Sequence, residues 1–193
     1  MPNQFRAIGA TTFLSPIPAV MLSCRGAEPG FDKDNLITVA WAGIINSAPP
    51  MISVSLRPSR HSYAQIVQSG VFCLNLIDQS LCRAADFCGV RSGRDVDKFK
   101  EMHLTPLASR EVSVPGIAES PVNIECRVKQ IIETGGTHDI FIAEGVSVSV
   151  DDKYFDENGK FHFDKTKPIC YSHGEYFGLG KSVGSFGYSV RKK

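Results

Sequence analysis

The sequence predicts a mainly β fold, an antiparallel barrel with a few short helices. Strand-like apolar runs follow one another through the first half, at Ile17 to Arg25, Leu36 to Gly43, Met51 to Leu56 and Val71 to Ile77. Two longer runs, Val122 to Glu133 and His138 to Val150, flank Thr134-Gly135-Gly136-Thr137, a pattern typical of a hairpin. Because few segments have a helical pattern, these strands favour an antiparallel barrel over a parallel βαβ sheet.

The helical segments are short and have recognisable boundaries. Met51 to Leu56 alternates apolar residues with serine, the period of a half-buried strand. Ser59 then follows as the expected N-cap of a helix that runs to about Val67. A second helix is expected over Ser80 to Cys88, where Gly89 would end it.

Length, charge and cysteine spacing limit the class of protein. The 193 residues fit one domain, 1–193, and the formal net charge of +1 lacks the basic field of a nucleic-acid binder. No apolar run approaches the ~20 residues of a membrane-spanning helix. The six cysteines are scattered without a paired spacing, which indicates reduced thiols and a cytoplasmic protein. No spacing of histidines and acids predicts a metal site.

A cluster of hydrogen-bond donors follows the third strand. Its members are Arg57, Ser59, Arg60, His61 and Ser62. Arginine forks and serine hydroxyls suit phosphate oxygens, and the N–H groups at a helix start add a favourable partial charge. The cluster therefore predicts a phosphate site between the end of this strand and the start of the following helix.

An ordered set of motifs resembles one known family. It comprises T-V-A-W, then P-P, S-L-R-P-S-R-H-S, F-C-L-N-L-I, S-G-R-D-V-D-K-F and G-G-T-H-D-I, spread from about Pro18 to Ser189. In this order they resemble the flavin reductase-like, FMN-binding split-barrel proteins, in particular the flavoredoxin-like branch. The resemblance implies a Greek-key split barrel that forms a homodimer, with FMN held at the dimer interface.

The resemblance also implies roles for individual residues. Thr38, Val39, Ala40, Trp41 and Ala42 match the stretch whose backbone meets the flavin ring, and Asn46 and Ser47 match polar contacts in the following loop. The donor cluster matches the phosphate end, and Ser92 and Lys98 match a loop close to the cofactor. His138 matches a catalytic histidine of a G-D-H motif, although this chain has Gly136-Thr137-His138 with the acid after it, at Asp139.

Three functions stay open at this point. The first is an NAD(P)H-dependent oxidoreductase that passes hydride or electrons through FMN to an acceptor. The second is a non-enzymatic FMN electron-transfer protein, which docks a redox partner protein and has no NAD(P)H site of its own. The third is a barrel for another phosphate-bearing ligand, as in the pyridoxamine phosphate oxidase relatives. Trp41, the only tryptophan, is expected either beside the flavin ring or in the core.

Overall fold

The computed structural model describes residues 4–191 and confirms a mainly β, antiparallel architecture. The strands are β1 Ile17–Pro18, β2 Val20–Cys24, β3 Asn35–Val39, β4 Ala42–Ser47, β5 Pro50–Leu56, β6 Val71–Leu76, β7 Pro106–Leu107, β8 Gly116–Ile117, β9 Val122–Glu133, β10 Asp139–Val150, β11 Ile169–Ser172 and β12 Glu175–Gly178. The α-helices are α1 His61–Ser69, α2 Cys82–Val90 and α3 Lys98–Glu101. Short 3₁₀ turns cover Asp152–Tyr154, Phe163–Thr166 and Tyr188–Val190.

A seven-stranded sheet in the order β3-β2-β6-β9-β10-β5-β4 forms the body of the protein. Its two edge strands, β3 and β4, are joined by only two residues, Ala40 and Trp41. So short a link brings the two edges together, and the sheet must therefore curl into a barrel. The backbone N–H of Ser55 donates to the Trp41 carbonyl at 2.9 Å and fixes the link against β5.

Two apolar cores lie on opposite faces of β2 and β3. Val20 and Leu22 of β2 belong to the cluster that also holds Phe72 and Phe141. Met21, the residue between them, belongs to a second cluster, with α2, α3 and β8. Alternate side chains of a strand point to opposite faces, so β2 is buried on both sides. The second core fixes α2 against the outer face of the sheet.

The structure confirms the predicted long hairpin. β9 and β10 pair antiparallel around the Gly135-Gly136 turn, within one residue of the expected bounds. Two register shifts interrupt the pairing, between Ile142 and Ala143 and between Gly145 and Ser147. Such irregularities bend a strand, which suits a sheet that closes on itself.

Four expected elements differ from the structure. The run from Ile17 to Arg25 is divided into β1 and β2, with Ala19 between them. The run from Leu36 to Gly43 is not one strand, because β3 ends at Val39 and the chain then crosses to the opposite edge of the sheet. Helix α1 has Arg60 at its N-cap, not Ser59, and no side chain caps it.

The second helix begins and ends two residues later than expected, and Gly89 lies inside it. A Cβ atom at Gly89 would lie 3.3 Å from the Cβ atom of Thr38, so the missing side chain permits a close approach of α2 to β3. This glycine is a packing position within the helix and does not end it.

A small second sheet covers one end of the barrel. It has the order β1-β11-β12, and β11 and β12 form a hairpin through His173 and Gly174. Ile17 of β1 pairs with Tyr171 of β11, so the hairpin is attached to the start of the first apolar run. This places the aromatic residues of the C-terminal region beside α2.

Candidate functional site

A cavity of about 440 Å³ lies where the two sheet edges meet. Its volume is within the range of small-molecule sites. The walls come from β3 and the link that follows it, the end of β5, the start of α1, α2 and the β11–β12 hairpin. Seven of the predicted site residues line it: Thr38, Val39, Ala40, Trp41, Arg57, Arg60 and His138.

The outer edge of β3 supplies polar backbone to this cavity. β3 pairs with β2 on one side only, and the Leu36 carbonyl points to the other side, where it accepts a hydrogen bond from Lys98. Hydrogen-bonding direction alternates along an antiparallel strand, so the N–H and C=O of Thr38 also point outward. The Thr38 hydroxyl donates to the Ala85 carbonyl at 2.5 Å and is engaged with α2. Its backbone groups are therefore what this residue offers to a ligand.

Arg57 and Arg60 give the cavity a cationic end. Both side chains are exposed, and neither forms an ion pair with any residue in the range 4–191. Arg60 stands at the N-cap of α1, whose first turn contains no acidic residue. The partial positive charge of the helix start therefore adds to the two guanidinium groups, and the combination suits an anion.

His138 and Trp41 pack against each other at the same end. Their ring centroids are 4.4 Å apart at 43°. Arg57 Nε donates to His138 Nε2 at 3.4 Å, and Nδ1 lies 2.8 Å from the Thr137 hydroxyl. Burial, followed by the charges of Arg57 and Arg60, lowers the pKa of His138, so the imidazole is neutral with its proton on Nδ1. Trp41 is 42% exposed, so the core alternative for this residue is wrong.

The opposite wall was missed by the sequence interpretation. It contains Asp86 of α2 together with Tyr171 and Tyr176 of the C-terminal hairpin. The Tyr176 hydroxyl donates to Asp86 Oδ1 at 3.5 Å. Burial first and the Asp86 carboxylate second raise the pKa of Tyr176 to about 12, so the phenol keeps its proton at neutral pH. Tertiary packing unites residues some ninety positions apart, and no local motif signals it.

Helix α1 separates the members of the predicted phosphate cluster, because only Arg57 and Arg60 line the cavity. His61 and Ser62 are buried and do not line the cavity. The His61 ring stacks on Phe31 at 4.8 Å, and burial lowers its pKa. The Ser62 hydroxyl accepts a hydrogen bond from Asn35 Nδ2 at 2.8 Å.

His61 and Ser62 lie four positions before Gln65 and Ile66, which are also buried. This spacing is typical of the inward face of a helix, and it could have been recognised in the sequence. Ser59 is exposed and lies outside the lining.

The other predicted residues lie away from the cavity lining. Ala42, Asn46 and Ser47 belong to edge strand β4, so the last two are not in a loop as expected. Ser92 lies in the turn after α2, where its hydroxyl accepts from the Arg94 N–H at 3.2 Å. Lys98 is buried, and its ammonium donates to main-chain carbonyls of β3 and α2.

A second cavity, of about 490 Å³, lies beside the turn that contains Gly93. It is the larger of the two, but none of the predicted site residues lines it. Its charged side chains are of both signs, and Arg25 is paired there with Asp34 at 2.7 Å. The first cavity is the better candidate for an anion because two arginines and one aspartate line it, whereas three basic and four acidic residues line the second, and because it borders open strand backbone.

Residues 4–191 contain neither a metal site nor a membrane-spanning helix. No group of three or more His, Cys, Asp or Glu side chains there could hold a metal ion. No helix in that range has the length and apolar character needed to cross a membrane. All six cysteines are free thiols.

Comparison with known proteins decides the family. A family model described as the flavin reductase like domain matches residues 15–180. The chain belongs to the flavin reductase-like family.

Solved structures extend this likeness over the whole chain. The chain is 29% identical to the flavoredoxin of Desulfovibrio vulgaris (Miyazaki F), with a TM-score of 0.89 and coverage of 97% of this chain and 100% of that one. It is 26% identical to a flavoredoxin from Methanosarcina acetivorans, with a TM-score of 0.84 and coverage of 98% and 100%. A protein of Archaeoglobus fulgidus is 31% identical over 127 residues, which are 66% of this chain and 71% of that protein.

Proposed function

We propose that the chain binds FMN in the cavity between β3 and the two arginines and acts as an NAD(P)H-dependent oxidoreductase. The observation that supports this most strongly is the cavity itself, which is lined both by the open edge of β3 and by Arg57 and Arg60, two cations without an ion pair among residues 4–191. Membership of the flavin reductase-like family supplies the class of cofactor.

The residues present fit a flavin phosphate at one end of the cavity and a ring along its wall. Arg57 and Arg60 would bind the phosphate oxygens, and the α1 N-terminus would add partial positive charge. The outward N–H and C=O of Thr38 would hydrogen-bond to polar edges of the ring and orient it. When bound, the flavin supplies the redox chemistry, and the protein supplies position and electrostatics.

His138 and Trp41 would control access at the cationic end. The neutral imidazole keeps a proton on Nδ1, where Thr137 accepts it, and leaves Nε2 as an acceptor facing Arg57. His138 therefore orients the guanidinium of Arg57 as well as contacting the ligand space. The Trp41 indole covers the imidazole and would exclude water from that side.

We also propose that two copies of the chain assemble. Ile44 of edge strand β4 is 84% exposed and Ile45 beside it is 49% exposed, an unusual arrangement for an unpaired edge. A second copy that covers this strand would bring Ala42, Asn46 and Ser47 into an interface, where they could meet the cofactor. Sedimentation equilibrium should then give twice the chain mass of 21.1 kDa, and a monomer would contradict the proposal.

The test of the proposed activity is an anaerobic titration of the FMN-loaded protein with NADH and then NADPH, followed by the visible flavin absorbance. We expect one of the two nucleotides to bleach the visible flavin absorbance rapidly, and that nucleotide is then the electron donor. Protein that fails to acquire a flavin spectrum in excess FMN would contradict the cofactor assignment.

A non-enzymatic FMN electron-transfer protein is the second candidate. The two flavoredoxins among the similar structures favour it, as does Thr137 at the position before His138. In the same titration, flavin that dithionite bleaches but neither nucleotide reduces would support the carrier and count against the reductase.

A further inference from the structure

Asp139, the first residue of β10, has a buried carboxylate. The residue is 8% exposed, and its Oδ2 accepts a hydrogen bond from the Tyr63 hydroxyl at 2.8 Å. Among residues 4–191 it forms no ion pair with a lysine, arginine or histidine. Burial of a carboxylate without a cation is costly, so the hydrogen bond from Tyr63 is what stabilises it there.

Tyr63 attaches the first turn of α1 to β10 at two points. Its hydroxyl reaches Asp139, and its ring packs edge-on against Phe141, two residues further along the strand, with ring centroids 5.1 Å apart. Side chains two positions apart on a strand share a face, so both contacts lie on the same side of β10. The Tyr63 backbone N–H donates to the carbonyl of Arg60, the N-cap residue of α1, at 3.0 Å. Tyr63 therefore fixes the start of this helix against the start of β10.

Both ends of this contact adjoin the cationic end of the cavity. Asp139 directly follows His138, which lines the cavity. Asp139 also pairs with Leu56, the residue before Arg57, in the ladder between β10 and β5. Arg57 Nε donates to His138 Nε2 at 3.4 Å, and the Arg60 N–H donates to the Arg57 carbonyl at 3.0 Å. The relative placement of these three cavity residues therefore depends on how α1 lies against β10.

The pair acts without lining the cavity itself. Neither Tyr63 nor Asp139 is among the lining residues. Adjacent side chains of an extended segment point to opposite faces, so an inward Asp139 carboxylate leaves the His138 imidazole directed to the cavity. Burial first and the hydrogen bond to Asp139 second raise the pKa of Tyr63, so the phenol stays protonated and remains a donor at neutral pH.

We propose that Tyr63 and Asp139 are positioning residues whose hydrogen bond holds the start of α1 against the start of β10. This contact keeps the two arginines and His138 in the arrangement that the proposed FMN site requires, and the inference rests on that site. Loss of the bond releases His138 from Arg57 and lets the arginines move. The fraction of molecules that are ready to bind a phosphate then falls, and the apparent affinity for FMN falls with it.

The first test is an NMR titration of His138 in the flavin-free protein. Tyr63→Phe keeps the ring against Phe141 and removes only the hydroxyl. Release of His138 from Arg57 should raise the pKa of the imidazole toward its ordinary value of ~6.5. The control Tyr154→Phe removes the hydroxyl of a buried tyrosine outside the cavity lining and should leave this pKa unchanged. An unchanged pKa in Tyr63→Phe would show that the bond only stabilises the fold and would overturn the inference.

Asp139→Asn separates the contact from the charge. The amide oxygen can still accept a hydrogen bond from Tyr63, so His138 should stay against Arg57. The Asp139 carboxylate raises the pKa of His138, whereas the charges of Arg57 and Arg60 lower it. Removal of the carboxylate alone should therefore lower this pKa. A pKa that rises or does not change would overturn the inference, and this test stands even if Tyr63→Phe does not fold.

The second test compares FMN with riboflavin, which has the same ring and no phosphate. Dissociation constants are measured by quenching of flavin fluorescence for the wild type, Tyr63→Phe and Tyr154→Phe. Tyr63→Phe should weaken FMN by about fivefold, the factor that corresponds to one hydrogen bond of ordinary net strength, and should weaken riboflavin less. Tyr154→Phe should change neither constant.

Unchanged FMN affinity in Tyr63→Phe, or equal weakening of both flavins, would overturn the inference. If the wild type binds neither flavin, the proposed cofactor site fails instead. The two failures are distinguishable, because the titration of His138 needs no flavin and still decides whether the contact between Tyr63 and Asp139 positions the imidazole.

Discussion

Gly93 offers a sharp test of how the turn after α2 is packed. A methyl group at this position would overlap Asn35 Oδ1 and lie 2.5 Å from Cγ and 2.9 Å from Nδ2 of the same side chain. Asn35 is 4% exposed, and its Nδ2 donates to Ser62 Oγ and to Gln65 Oε1, each at 2.8 Å. Gly93→Ala must therefore displace a buried side chain from two hydrogen bonds.

The expected cost follows from these contacts. Two lost hydrogen bonds of about 1 kcal/mol each and overpacking of at least about 1 kcal/mol give a loss of about 3 kcal/mol in the free energy of unfolding. For a chain of this length the melting temperature falls by about 2–4 °C per kcal/mol, so the variant should melt about 6–12 °C lower.

The assay is thermal unfolding followed by circular dichroism, with Gly180→Ala as the matched control. A Cβ atom at Gly180 meets nothing within 4 Å, and its φ is not in the left-handed region. The control therefore gains the same unfolded-state stabilisation as Gly93→Ala without the overlap, and its melting temperature should stay or rise slightly. If the two variants melt within about 1 °C of each other, the packing argument is refuted.

Three further predictions concern buried and cavity residues. Glu125 is 2% exposed, and its carboxylate accepts hydrogen bonds from the backbone N–H groups of residues 110–112 at 2.6 to 3.2 Å. Glu125→Gln should therefore lower the free energy of unfolding by about 3 kcal/mol, whereas Glu111→Gln, at an exposed position, should lower it hardly at all. Similar denaturation midpoints for the two variants would contradict this prediction. Arg57→Met removes a positive charge and frees Nε2, so the pKa of His138 should rise in an NMR titration; an unchanged pKa would exclude the contact. Trp41 is the only tryptophan and lines the cavity, so bound FMN should quench the tryptophan emission strongly, and undiminished emission at saturating FMN would remove Trp41 from the site.

The sequence predicted those elements that depend only on residues close together in the chain. The β9–β10 hairpin could be predicted because alternation and a Gly-Gly turn act within a few residues. The break after Val39 could not, because an apolar run looks the same whether it continues one strand or crosses between sheet edges. Gly89 was misread for a related reason, since only the distance to Thr38 shows why a glycine lies inside α2.

The candidate site shows the same division. Arg57 and Arg60 were predicted to bind an anion from their residue types, and the structure places both at the cavity. Asp86 and Tyr176 were missed because packing of the C-terminal hairpin against α2 brings them together. Lys98 was expected near the cofactor by resemblance, but sequence could not show that its ammonium is buried and donates to the carbonyls of Leu36 and Cys88.

The most direct test of the central claim is a crystal structure of the chain with FMN. The account predicts the phosphate within hydrogen-bond distance of the guanidinium groups of Arg57 and Arg60, with the ring along the outer edge of β3 at Thr38. Flavin bound in the second cavity beside Gly93, or phosphate remote from both arginines, would contradict it.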